Sequence, residues 1–350
     1  MTLPLAVAAA LFVGVLAYSL FGGADFGSGF FDLTAGGSAA GSELRTLIDH
    51  SIGPVWEANH VWLIFCLVTW WTAFPASFAA MMSTLIIPLL LALLGIVLRG
   101  ASFAFRKYAA TLAQARLFGA IFAASSLITP FFLGCVAGAI ASGRVPAAGR
   151  GPLIDSWVNP TSIFGGLIAV GTCTFLAGVF LVADAARTGA LTLTAQLRIR
   201  SLAVGVTTGL IVFAALLPIK HDAPTLHAGL TGRAAPLIGI SAVAGLATLV
   251  LLVVRRFQTA RLTAILAVAA VVFGWGVAQY PWLLVDQVTI ADAAGAPATL
   301  AALLGVVVLA AVVVVPAMAY LYSLTQSEPW TESQGTGRPE GRRRNPEILG

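Results

Sequence analysis

Apolar residues occupy this chain in long blocks, separated by short clusters of glycine, proline, arginine and acids. An α-helix needs about 20 consecutive apolar residues to cross the hydrocarbon of a bilayer. The blocks predict nine spans, at approximately 3–24, 55–74, 77–98, 117–141, 161–184, 201–219, 236–254, 262–283 and 300–322. One domain is therefore expected over 1–324. A polar, disordered cytoplasmic tail is expected over 325–350, where SEPWTESQGTGRPEGRRRNPEILG cannot bury enough apolar surface to order itself. The first block lacks a basic start and is too long for a signal peptide, so it is expected to remain in the mature protein.

Composition agrees with the pattern. Of 350 residues, 59% are hydrophobic and 9% charged, with a mean hydropathy of +0.95. Soluble domains carry about 25% charged residues. The expected class is an all-α polytopic membrane protein. Basic residues then set the orientation. With the N-terminus outside, the inner loops and tail hold 15 of the 19 lysines and arginines, from Arg45 to Arg344. The outer loops hold Arg144, Arg150, Lys220 and Arg233. The N-terminus is thus expected outside and the C-terminus in the cytoplasm. The net charge of +5 follows from this asymmetry and gives no reason to invoke nucleic acid.

Polar groups inside spans are costly in lipid unless they face protein or water. Asp25 lies between Gly23 and Gly27, a GxxxG step whose small residues let another helix approach closely. It reads either as a snorkelling or capping acid at a helix end, or as a carboxylate facing a neighbouring helix and able to take a proton. Glu57 sits about one turn inside the second span, with His60 on the same face and Trp56 and Trp62 as apolar bulk. An acid and an imidazole one turn apart can pass a proton. The plainer alternative is a Glu–His or Glu–Asn hydrogen bond that packs two helices. Gly134 and Gly138 form a second GxxxG step, beside Pro130. Gly274 and Gly276 suggest another close approach, Tyr280 and Trp282 suit the outer interface, and Pro281 should end or kink its helix. Asp184 lies at an inner helix end. The short basic loop after the third span is topological, with affinity for anionic headgroups.

Metal and haem chemistry find little support in the residues. Cys66, Cys135 and Cys173 lack paired spacing and read as small packing residues. His221, Asp222 and His227 cluster in an outer loop without a recognisable ligand spacing. A haem needs axial ligands, and His60 stands without a partner motif. No catalytic, cofactor-binding or metal residue is assigned to this chain.

Several segments taken in order carry a further reading: GADFGSG at 23–29, IGPVWEANHVWLI at 52–64, FP at 74–75, LRGASFAFR at 98–106, GWGVAQYP at 274–281 and TIADAAGAPATL at 289–300. Together they closely resemble subunit II of the cytochrome bd-type quinol oxidases, over about Phe21 to Leu300. The last segment is similar to the branch called cyanide-insensitive oxidases. The resemblance implies nine helices arranged as two four-helix bundles and one peripheral helix. It implies a partner, subunit I, that carries haem b, haem d and the quinol site, and it leaves room for small accessory subunits. The complex would oxidise quinol and reduce oxygen to water with cytoplasmic protons, while this chain alone would be inactive. Asp25 and Glu57 match family acids, Glu57 where aspartate is more common, and Asn59, Trp62, Arg99 and Arg106 match other family positions. A proton path through Asp25, Glu57 and His60 is the resulting expectation. Gly22, Ala24, Ala58 and Ala104 depart from the family pattern, and the losses of acid at 22 and 104 weaken that path. A secondary transporter and a purely structural scaffold subunit remain as alternatives. A transporter would favour midplane polar groups and a repeat, neither of which is evident here.

Overall fold

The computed structural model describes residues 2–37, 41–52, 56–106 and 108–325, without the side chains of 52, 56–58, 318, 322, 324 and 325. The expected tail beyond 325 lies outside the described residues. The chain is helical almost throughout, in chain order α1 Leu3–Ala17, a π turn Tyr18–Gly22, α2 Gly23–Leu33, α3 Ser42–Ile52, α4 Trp56–Ala73, α5 Pro75–Thr84, α6 Ile86–Arg106, α7 Leu112–Ala141, α8 Pro160–Arg187, α9 Leu191–Ala214, α10 Leu216–Asp222, α11 Pro224–Thr231, α12 Ala235–Val253, α13 Phe257–Gln279 and α14 Pro297–Thr325. Eight described segments are long and apolar enough to cross a membrane. A ninth arises if the pair Asn59–Ala73 and Pro75–Thr84 counts as one crossing. The architecture is that of an all-α, multi-pass membrane protein.

Among the boundaries that depart from the sequence expectation, three have a clear local reason. The first span was expected to stop at residue 24, yet its helical path runs from Leu3 to Leu33. The added turns carry Asp25 and Asp32, both buried and both paired with arginines of neighbouring helices. The expected span 77–98 is not one helix. Pro75 forces Phe74 out of the helical region (φ −135°, ψ 60°), the chain bends by 120° there, and a second break at Leu85 (φ −103°, ψ 28°) starts α6 afresh. At the far end, α13 stops at Gln279 rather than 283. Residues Trp282–Leu284 and Val288–Thr289 instead pair as antiparallel strands β1 and β2, with Trp282 opposite Thr289. Asp286 occupies the turn between them at φ 57° and accepts both contacts of the Thr225 hydroxyl.

Helix α8 is the hub, packing on α2, α7, α9 and α13. Both GxxxG steps meet it. A Cβ on Gly27 would fall 1.9 Å from the Cys173 carbonyl oxygen, and one on Gly138 would fall 2.5 Å from the Ser162 Cα. Only hydrogen fits at these crossings, where backbone meets backbone. Gly276 likewise leaves room for the Phe12 ring, whereas Gly274 has only an ordinary 3.8 Å neighbour. Around α8 the core is built from Phe31, Leu176, Val179, Val182, Leu197 and Leu252. Cys66, Cys135 and Cys173 are free and buried. Capping supports the long helices: Thr111 and Gln114 form a capping box at α7, and Asn159 accepts the Ser162 N–H at 3.0 Å at α8. The body ends at Leu304, and the remainder of α14 from Gly305 is a separate unit.

Candidate functional site

Asp25 is one of the most deeply buried charges in the described chain, 3% exposed in the first turn of α2. Its Oδ1 accepts a hydrogen bond from Arg99 Nη2 on α6 at 2.6 Å. Arg99 is equally hidden, with 2% of its side chain exposed. Its Nε donates to Ser126 Oγ on α7 at 3.0 Å, and its guanidinium lies 4.9 Å from the ring centroids of both Phe26 and Phe122. Cation–π contacts and charge-assisted hydrogen bonds are what make so complete a burial of an arginine tolerable. The other carboxylate oxygen, Asp25 Oδ2, is buried with no hydrogen-bond partner among the described residues.

The hydroxyl of Tyr18 is a second buried oxygen without such a partner. Tyr18 opens the π turn, and its ring stands edge to face 6.3 Å from that of Phe26, the neighbour of Asp25 on α2. His60 faces the same pocket of rings. Its imidazole centroid is 6.3 Å from Tyr18 and 6.0 Å from Phe26, edge to face in each case. Asn59, 1% exposed, donates to the Phe21 carbonyl at 3.3 Å, while Trp62 stacks on the Phe21 ring at 6.4 Å. Asp25, Asn59, His60, Trp62 and Arg99 thus converge on the segment Tyr18–Phe26. The Glu57 side chain lies outside the described residues; its backbone is the second residue of α4, one turn before His60.

Arg106 does not join this group. It pairs with Asp32 at 2.8 Å, as does Arg45, and also reaches Asp49 at 3.8 Å. Asp32 was not singled out from the sequence, although a signal existed. Asp25 and Asp32 lie seven residues apart on α2, and Arg99 and Arg106 lie seven apart on α6. Equal spacing places two acids on one helix stripe opposite two arginines on another, and the structure joins them as two rungs. Tyr18 had no such signal, since a lone tyrosine in an apolar run reads as packing.

Two further acids serve to brace helices. Asp184 at the end of α8 pairs with Arg261 on α13 and with Arg187, and accepts from Ser51 Oγ at 3.1 Å. Asp222, from the His221–Asp222–His227 cluster, is instead engaged by Arg144 and by the Thr161 backbone N–H. The described residues contain no group of three or more His, Cys, Asp or Glu placed to hold a metal. His60 packs edge to face against the rings of Tyr18 and Phe26.

Comparison with known proteins places this geometry. The family model described as cytochrome bd terminal oxidase subunit II matches residues 3–325. The cytochrome bd ubiquinol oxidase subunit 2 of Bacillus subtilis (strain 168) is 33% identical over 167 residues, 47% of this chain and 48% of that relative. The match therefore spans about half the relative's length. The structure of bd oxidase from Geobacillus thermodenitrificans shares the fold, with a TM-score of 0.79 at 24% identity over 93% of this chain and 99% of that one. With nearly its whole membrane-spanning length matched, this chain belongs to the cytochrome bd terminal oxidase subunit II family.

Proposed function

We propose that this chain is the non-haem partner of a haem-bearing subunit I, in a complex that oxidises quinol and reduces oxygen to water. The chain would contribute a proton inlet. Haem b and haem d would supply the redox chemistry from the partner. The observation that carries the reading is the buried Asp25 carboxylate, with one oxygen committed to Arg99 and the other without a hydrogen-bond partner among the described residues. Buried polar atoms are nearly always satisfied in folded proteins, so a buried carboxylate oxygen with room for a proton or a water suits a proton-carrying role. In this reading Glu57 takes a proton at the cytoplasmic side and His60, one turn on, passes it toward Tyr18 and Asp25. The N-terminus outside, as the 15-to-4 distribution of basic residues favours, puts Glu57 on the required side. The bundle arrangement implied by the family, two four-helix groups and one peripheral helix, belongs to the same proposal.

Substituting Glu57→Gln should leave the complex assembled but slow oxygen uptake by about ten-fold or more, the scale on which positioned acid–base groups act. A reduced-minus-oxidised visible spectrum of the purified complex checks assembly separately, through haem b and d bands and a co-purifying larger subunit. Normal oxygen uptake by a fully assembled Glu57→Gln complex would retire the inlet. One observation favours a second reading, the structural scaffold: Asp25 already has a packing role as the partner of Arg99.

A further inference from the structure

At the Arg187 end of α8 the surface carries an open depression of about 430 Å³. Its walls are Arg187, Arg255, Arg256, Phe257, Gln258 and Thr259. Three arginines therefore line one depression. Arg198 and Arg261 stand close behind it, the first against the Val253 carbonyl and the second against Gln258 Oε1. Asp184, beneath them, is the acid that answers this charge, and it is already engaged by Arg261 and Arg187. Arg255 and Arg256 are exposed and enter no ion pair among the described residues. We propose that this depression binds the headgroup of an anionic phospholipid.

The backbone supports the assignment. Arg255 sits at φ 62° in the turn between α12 and α13, a left-handed conformation that non-glycine residues seldom adopt. The comparable turns after α7 and α8 use Gly143 and Gly189 for the same geometry, at φ 72° and 74°. An arginine at such a position brings charge to the depression where glycine would be conformationally easier. Arg256 is the N-cap residue of α13 and no side chain caps that helix. The first N–H groups of α13, on residues lining the depression, therefore lack intrahelical acceptors and add to the positive field.

The surroundings favour a lipid over a free anion. Val253 and Val254 directly precede Arg255, and Leu262 and Leu266 follow within the first three turns of α13. All four are half exposed or more, a surface suited to acyl chains running down from a headgroup held by the arginines. Basic pockets between helices are a recurrent recognition mode for acidic lipids.

The test is independent of proton transfer. The full-length protein, with whatever subunits co-purify, is stripped of lipid in mild detergent and its thermal midpoint recorded with added phosphatidylglycerol, phosphatidylcholine or inorganic phosphate. Phosphatidylglycerol should raise the midpoint by about 3 °C or more over phosphatidylcholine, and inorganic phosphate should not reproduce the rise. The pair Arg255→Gly and Arg256→Gln keeps the left-handed turn accessible and should abolish the difference between the two lipids. Should that variant not fold, the wild type still decides, because its phosphatidylglycerol increment must shrink as salt is raised. Equal responses to both lipids, an undiminished increment in the variant or in high salt, or a matching rise with phosphate alone would each overturn the proposal.

Discussion

Arg99→Met should destabilise the protein by about 3–5 kcal/mol, because it leaves the Asp25 carboxylate buried and without its counter-charge. Asp25 is 3% exposed, its Oδ2 has no partner, and the Arg99 guanidinium supplies the 2.6 Å contact to Oδ1. The variant would also lose the contact to Ser126 and the two ring faces that flank the guanidinium. Thermal midpoint and the yield of monodisperse protein in detergent measure the loss. The double variant Asp25→Asn with Arg99→Met should recover most of it, since removing both charges leaves no unpaired ion. That same double variant separates the two readings of Asp25. A scaffold subunit would support normal oxygen uptake once stability is restored. A proton inlet through Asp25 would remain slow in an assembled complex.

Gly27→Val should also be strongly destabilising, by about 3 kcal/mol or more. The added Cβ would meet the Cys173 carbonyl oxygen at 1.9 Å, its carbon at 2.3 Å and the Thr174 nitrogen at 2.7 Å. These are backbone atoms of the hub helix and cannot rotate away as a side-chain tip would. Helix α2 would have to back off from α8, carrying Asp25 and Asp32 away from their arginines. The loss of folded protein on size exclusion checks this, against Gly239→Ala as control, where nothing lies within 4 Å and the effect should be close to neutral.

Much of this arrangement was legible along the chain because its cause is local. Apolar length places the crossing helices, and the glycine pairs at 23/27 and 134/138 mark close approaches that the structure confirms on α8. Pro75 announces a break. The direction of the bend, and the second break at Leu85, are not local, since they depend on how Phe74 and Leu85 seat in the core, both fully buried. The site was half legible. Asp25 stood open between an acid at a helix end and a carboxylate facing another helix, Arg99 stood only as a family position with no pairing implied, and the seven-residue echo between the acids of α2 and the arginines of α6 went unused. Tyr18 was invisible because its significance comes from an unsatisfied hydroxyl, a property of the packed state. The β1–β2 hairpin was missed for a related reason: two- and three-residue strands carry too little pattern to register.

The π turn at Tyr18–Gly22 has a consequence for how this chain can vary. One extra residue per turn offsets the stripe of α2 by roughly 100° from where an unbroken α1 would carry it. Helix α1 packs on α4 while α2 packs on α7 and α8, so the two halves of one rod address different neighbours. Deleting a single residue between Tyr18 and Gly22 would leave composition and hydropathy untouched, yet it would turn Asp25, Gly27 and Asp32 together toward the wrong helices. The turn acts as a phase setter for the whole first crossing, and length there is constrained more tightly than the identity of most of its side chains.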